Sequence, residues 1–463
     1  MPILSDDMFQ DCQKQWSDQV WQEEVVSRLP AETETQARTL GAFLYKRAFA
    51  CACDLLRGLL ASVLFASSLR ELSCWGVLSG VADISDRAWS KRLSQANSWL
   101  WWLVRTLLRL PAVDRWCGGP HPPQRILIVD GSTISEPGGP GDQWRLHLSY
   151  DLTPGQLHHV VLTDRHGAES IEYADLHAGD CVLTDRGYTY RKAVAYAMHQ
   201  DADYTGRFAP ASFPLLDEQG QALDWVAWLR RQPGGILEQG AWFDWQDERF
   251  AVRVMACPLD PQTAAAERKR CREKARQHGR KVQEQTLYLA GWLLIISTLD
   301  PSEWSTEQVI CLYQARWQIE LLIKRIKQLL QVHRLPSHAP SFNRATVACL
   351  LLAWIVQEQD AQALQILLDP LPLVTESRAL LALPKPQPPS HWLVNALCLQ
   401  GLRNAVQGFW TRSLMRAKYS QLQRHLCPSP RKRTHQERLI RDLLYRKALQ
   451  YEQKGAIFCC SGT

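Results

Sequence analysis

The chain has 463 residues, 46% of them hydrophobic and 22% charged, and a net charge of +6. That length allows two or three domains with a substantial core, and so small a net charge leaves partners to be read from local clusters. The fourteen cysteines include no CxxC pair, which excludes a disulfide framework or zinc site. The first residues lack the layout of a signal peptide. The most apolar segments, 55–69 and 347–356, are too short or too interrupted by Arg to span a bilayer. A soluble cytoplasmic protein with no membrane partner is expected.

Residues 1–118 carry apolar residues at helical spacing and few strand signals, so a helical N-terminal domain is expected. Within it, 69–78, the turn 80–85 and 86–93 read as helix, turn, helix. Ser85 caps the second helix, and Arg87, Lys91 and Arg92 face a partner. A DNA-reading helix-turn-helix and an ordinary helical hairpin fit this pattern equally. Residues 111–123, rich in Pro and Gly, form a linker.

Candidate strands follow at 125–130, 144–150 and 158–164, with turns at 138–141 and 154–155. Next come a strand at 181–185, a helix near 190–199 and a strand near 203–208. Two apolar runs, Ile126-Leu-Ile-Val and Cys181-Val-Leu-Thr, each lead into an aspartate and a Gly turn, so Asp130 and Asp185 are expected at strand ends. Asp151, Asp164 and Asp180 are rival carboxylates that read as turn or cap residues. Residues 209–285 interrupt this core with a β-hairpin, 240–245 against 249–255, and a very basic helix at 264–281. Its Arg268, Arg270 and Arg272 suit contact with phosphate, a solvated face being the alternative. A strand at 287–297, holding Trp292, returns the chain to the core.

The stretch from Tyr313 to Lys327 reads as one helix with two faces. Tyr313, Arg316, Glu320, Lys324 and Lys327 share one. Leu312, Ile319, Ile323, Ile326 and Leu330 form an apolar stripe beside it. Glu320 and Lys324 would also suit a plain salt-bridged surface. Two strand-end aspartates and a helix glutamate, in this order and beside cations, are the parts of a two-metal phosphoryl-transfer site. Hard cations such as Mg²⁺ take oxygen ligands, and a pair about 3.5–4 Å apart stabilises attacking and leaving oxygens. Further on, 343–357 reads as a buried helix and 383–390 as a linker. Residues 388–463 read as helical and increasingly basic, notably at Arg412, Arg416, Lys418, Arg424, 431–433, Arg446 and Lys447.

The spacing Tyr313-x2-Arg316-x3-Glu320-x6-Lys327 resembles the signature of the insertion-sequence-four family of bacterial DDE transposases. Val-Asp130-Gly-Ser-Thr and Leu-Thr-Asp185-Arg-Gly-Tyr188 resemble that family's first two catalytic aspartates, and the segments 144–148 and 162–170, with Glu169, are similar too. The resemblance covers about 120–355 and implies an RNase H-like α/β core at 124–208 and 286–358, interrupted by a β-rich insertion at 209–285. Helical N- and C-terminal domains flank it, the first contacting DNA ends. It implies that Asp130, Asp185 and Glu320 hold two Mg²⁺ ions, for which Mn²⁺ can substitute, and act on double-stranded DNA at terminal inverted repeats and at a target. Arg316 and Lys324 with Lys327 would contact phosphate, and Tyr313 a terminal phosphate. A hairpin intermediate would need an aromatic to receive a flipped base; Trp292 is the candidate, a core tryptophan the alternative. A homodimer in a synaptic complex and a cytoplasmic, nucleoid-associated location are expected. An RNase H-like nuclease or resolvase, and a silent DNA-binding derivative, are the rival functions.

Overall fold

The computed structural model describes residues 18–45, 48–65, 68–109, 125–138, 142–152, 155–231, 235–337, 339–368, 391–408 and 421. Both proposed linkers, most of the 138–141 turn, Pro154 and the basic C-terminal positions from Arg412 to Lys447 lie outside the described residues. After a helical stretch at 18–24, the described N-terminal residues form α1 (Thr33–Thr39), α2 (Ala52–Leu64), α3 (Leu69–Ser79), α4 (Asp86–Gln95) and α5 (Asn97–Leu108). Then come β1 (Ile126–Ser135), β2 (Asp142–Asp151), β3 (Gln156–Asp164), β4 (Cys181–Thr184), α6 (Arg191–His199) and β5 (Asp203–Arg207). Next are α7 (Trp225–Arg230), β6 (Leu237–Trp245), β7 (Glu248–Pro258), α8 (Pro261–Gln277), α9 (Glu284–Leu289) and β8 (Trp292–Ser297). The last described elements are α10 (Thr306–Gln314), α11 (Trp317–Leu330), α12 (Pro340–Leu368) and α13 (His391–Gln407). Two compact units result, one from the described residues of Met1–Arg109 and Ile326–Thr463, the other from those of Leu110–Arg325.

The first unit is helical. Ser68 and Ser85 cap α3 and α4, accepting from the N–H groups of Glu71 and Ala88, and Gly80 ends α3 in the left-handed region at φ 71°. The expected helix-turn-helix is therefore formed, with Arg87 and Lys91 exposed. Helix α12 packs on α5, α13, α4 and α2. The sequence reading put 343–357 with the catalytic core. Its apolar residues are instead buried among the N-terminal helices, because α12 is apolar around most of its girth. The carbonyls that end α13 find donors on α2 and α3. Arg57, 3% exposed, donates to Ala405 and Val406, and the Trp75 indole donates to Gln407.

The second unit is built on an eight-stranded sheet in the order β3-β2-β1-β4-β5-β8-β7-β6. The strands β1, β4 and β5 are parallel, and β3, β2 and β1 form an antiparallel meander. This mixed sheet with its helices fits the RNase H-like core that the resemblance implied. Ile126-Leu-Ile-Val is buried throughout, as a strand with a partner on either side and cover on both faces must be. Alternate residues Leu127, Val129, Val182, Tyr204 and Ile296 form one cluster with Ala193, Val194 and Ala197 of α6.

The hairpin β6–β7 turns at Gln246 and Asp247, both with positive φ, and β8 joins it edge-on to β5, so the strands of the insertion extend the core sheet. The strand expected at 287–297 begins only at Trp292. The short apolar run before it forms the single-turn helix α9, whose Tyr288 and Leu289 pack against the core cluster.

Candidate active site

The parallel ladder between β1 and β4 ends with Val129 beside Thr184, and the next residue on each strand is Asp130 and Asp185. Asp185 stands just past its strand, as expected. Asp130 does not: β1 runs on to Ser135, because β2 keeps pairing and sets Leu148 against Asp130. What stops at Asp130 is only the parallel half of its pairing, and that leaves its flank toward Asp185 free of a strand.

Local chemistry fixes both carboxylates. Asp185 Oδ1 accepts from the N–H of Gly187 at 2.8 Å and of Tyr188 at 3.2 Å, and the Thr189 hydroxyl donates to the Asp185 carbonyl at 2.8 Å. Beneath this turn, Tyr204 Oη donates to Thr189 Oγ1 at 2.9 Å and meets Thr184 Oγ1 at 2.5 Å, a sealed polar knot. Asp130 Oδ1 accepts from Gly131 N at 2.7 Å. Burial, and then the charges of Asp185 and Glu320, push the Asp130 carboxyl up to about 6 against the pull of Gly131 N–H and Arg316.

The stretch from Tyr313 to Lys327 is two helices, not one. Between α10 and α11 the chain tightens into i to i−3 bonds, Ala315 N to Leu312 O and Arg316 N to Tyr313 O. Arg316 sits in this break, and its guanidinium donates to Glu320 Oε1. Lys324 is exposed, and Lys327 is half-buried further along α11. Of the apolar stripe, Leu312, Ile319, Ile326 and Leu330 are buried, and Leu322 takes the place of Ile323, which is half-buried. Tyr313 is 7% exposed, and the Arg316 guanidinium lies over its ring, 6.0 Å from the centroid.

Trp292 is 8% exposed and belongs to the hydrophobic cluster of the sheet, opposite Pro258 on β7. Arg268 donates to the Leu287 carbonyl at 3.1 Å and binds α8 to α9. Arg270 pairs with Glu267 at 2.7 Å, while Arg272 is exposed. Among the rival aspartates, Asp180 is fully buried at the far end of β4 as the counterion of Arg125, whose Nε reaches Oδ1 at 2.8 Å. Asp164 accepts from His166 N at 2.9 Å as a turn residue.

Sequence reasoning gave no role to three residues beside the aspartates: Glu169, Arg145 and Tyr188. Arg145 stands 3.5 Å from Glu169 Oε1. The Tyr188 hydroxyl, 1% exposed, has no hydrogen-bond partner among the described residues, and the charges of Asp130, Glu169 and Asp185 add to burial in raising its pKa. The signal was present in the segments that resemble the family, where a glutamate and a tyrosine accompany the expected aspartates.

Among the described residues, no three His, Cys, Asp or Glu side chains are already drawn together to hold a metal. Glu320 is paired with Arg316. The donors nevertheless fit a hard divalent cation: they are all carboxylate oxygens, and those around Asp130 disfavour one another's charge until a cation offsets it.

The family profile described as Transposase DDE domain matches residues 121–356. The transposase for insertion sequence element IS421 of Escherichia coli is 33% identical over 338 residues, covering 71% of this chain and 90% of that protein. The putative transposase InsL for insertion sequence element IS186A of Escherichia coli strain K12 is 33% identical over 337 residues, with the same shares. Likeness of that extent, spanning the segments that hold Asp130, Asp185 and Glu320, assigns the family: this chain belongs to the DDE transposases.

Proposed function

We propose that this transposase hydrolyses phosphodiester bonds at the terminal inverted repeats of its own element and joins the freed ends to target DNA. The observation that carries the reading is the β1–β4 register, which brings Asp130 and Asp185 side by side within electrostatic reach of Glu320 and Arg316. Asp130, Asp185 and Glu320 would hold two Mg²⁺ ions, or Mn²⁺ in their stead. When bound, these supply charge to the attacking and leaving oxygens of the phosphate. Arg316 is the residue that must change partner. Its planar fork suits a phosphate as well as a carboxylate, so incoming DNA can take the guanidinium and release Glu320 to the cations. Lys324 adds a point charge beside the strand, and Lys327 a second one a turn further on.

The helix-turn-helix of α3 and α4 would bind the element's ends through Arg87 and Lys91, and α8 would follow the backbone through Arg270 and Arg272. Two ends held by two copies of the chain would form the synaptic complex. For a hairpin route, implied by the family resemblance, Trp292 stays the candidate to receive a flipped base, which requires its ring to leave the hydrophobic cluster of the sheet.

The test is cleavage and joining of inverted-repeat DNA from either side of the coding region, with Mg²⁺. Asp130→Asn, Asp185→Asn and Glu320→Gln are each expected to abolish cutting and to leave end binding within about threefold, since phosphate contacts dominate affinity. Normal cutting by any one variant would remove that residue from the site. Cutting without joining would make the chain a nuclease.

A further inference from the structure

We propose that Glu169 is a fourth carboxylate of this site, which with Asp185 takes a divalent cation over the floor formed by Gly131 and Gly187. The inference rests on the reading of Asp130 and Asp185 as metal-holding residues and extends it to a side chain outside the Asp, Asp, Glu set.

Two glycines locate the carboxylate. A methyl group on Gly187 would stand 2.6 Å from Glu169 Oε2 and 3.2 Å from Asp185 Oδ1, so both oxygens crowd one point above that backbone. A methyl group on Gly131 would stand 2.8 Å from the Tyr188 hydroxyl and 3.8 Å from Glu169 Cγ. The glutamate side chain therefore spans from the residue after Asp130 to the loop after Asp185. A side chain at Gly187 would displace the Glu169 carboxylate, and one at Gly131 would displace the Tyr188 hydroxyl.

The carboxylate is also oriented. Arg145 holds Oε1 at 3.5 Å, and the oxygen that faces Asp185 is the other one. The backbone behind it is tied down: the Tyr190 hydroxyl donates to the Glu169 carbonyl at 3.2 Å, and Ser170 caps the short turn that buries Ile171. A carboxylate held this way toward another of the same charge is costly unless a cation lies between them.

The independent sign of a ligand is Tyr188. Its hydroxyl is sealed from solvent without a partner among the described residues, and it lies over Gly131, where Glu169 Cγ also passes. A buried donor left unpaired costs about 1–3 kcal/mol, and a hydrated cation or a phosphate oxygen at this point supplies its acceptor.

The experiment is Mn²⁺ binding to the full chain without DNA, read from the electron-spin signal of free Mn²⁺, for wild type, Glu169→Gln, Glu169→Asp and Asp185→Asn. Each protein is also melted in chelator. Glu169→Gln is expected to weaken Mn²⁺ binding by at least about tenfold, comparable with Asp185→Asn, with its metal-free melting unchanged. Glu169→Asp keeps the charge but withdraws the oxygen by one methylene, and is expected to lose about half that factor on a logarithmic scale. It serves as the reading should Glu169→Gln melt early. Wild-type Mn²⁺ affinity in both Glu169 variants, with loss in Asp185→Asn, overturns the role of Glu169 and leaves the aspartates standing. Wild-type affinity in all three variants overturns both.

Discussion

Arg316 sits in the break between α10 and α11, donates to Glu320 and acts electrostatically on Asp130. Arg272 on α8 is exposed. The two arginines should therefore fail differently. Arg316→Ala should slow cleavage by about 100-fold or more, as loss of one preorganised charge at a reacting phosphate does. Arg272→Ala should flatten the salt dependence of DNA binding by about one unit of slope and leave the rate of bound complexes unchanged. Single-turnover cleavage and salt-titrated gel shifts separate the two. Equal losses confined to affinity would reduce α11 to a general DNA-binding face. At this scale the sequence identified which residue types belong together and misjudged what some of them touch. Tyr313 and Trp292 have side chains large enough to serve either a ligand or a core, and both are buried in the folded chain. Arg268 looked like one charge in a basic run, but the nearby carbonyl of Leu287 claimed it.

Elements were legible where pattern and partner agree. The strands β4 and β5 and the helix α6 fall within a residue or two of expectation, because apolar runs bounded by turns have few alternatives. The extension of β1 past Asp130 was hidden, since it depends on β2, and pairing between strands is a tertiary fact. The tightened break at Ala315 and Arg316 was equally invisible, as no Pro or Gly marks it. Strand β8 shows what a packed element predicts. Trp292→Ala should cost about 3–5 kcal/mol of stability and depress nicking, joining and solubility in parallel. Selective loss of one late DNA step, at an unchanged melting temperature, would restore the ring to a DNA role.

The opposite end of the sheet carries a pH dependence. His158 on β3 meets Arg125 Nη1 at 2.8 Å, and Arg125 in turn binds Asp180 below β4. Burial, then the charge of Arg125, push His158 from 6.5 down to about 4, although Asp175 and Asp180 pull the other way. The folded chain thus keeps this imidazole neutral as an acceptor, whereas the unfolded chain protonates it. Its contribution is complete above pH 6.5 and is lost as pH falls toward 4. His158→Gln keeps an acceptor for Arg125 without titrating. Between about pH 7.5 and pH 4.5 the variant should lose on the order of 2 kcal/mol less stability than wild type. Urea unfolding at the two pH values checks this, and parallel losses would refute the clamp. The buried His147, also held near 4, leaves part of the acid sensitivity in place.

For the whole molecule, one arithmetic fact constrains how an element is cut out. The chain offers one Asp130, one Asp185 and one Glu320, while an element has two ends. If each end is cut by its own copy, held in a symmetric pair, then both copies must be active for excision. Asp130→Asn protein is suited to test this, since it should bind ends and fail to cut. When wild type and variant are mixed in equal amounts before DNA is added, single-end cleavage in one turnover should fall to about half. Release of the complete element should fall to about a quarter, as random pairing of two required copies dictates. Should release fall only to half, one active chain serves both ends in turn. A fall much below a quarter would require more than two active copies. If the pair holds both DNA ends through phosphate contacts, it should also be salt-sensitive as an assembly. Raising salt from about 50 to about 200 mM should therefore suppress paired release more steeply than single-end cutting, because two sets of phosphate contacts are lost together.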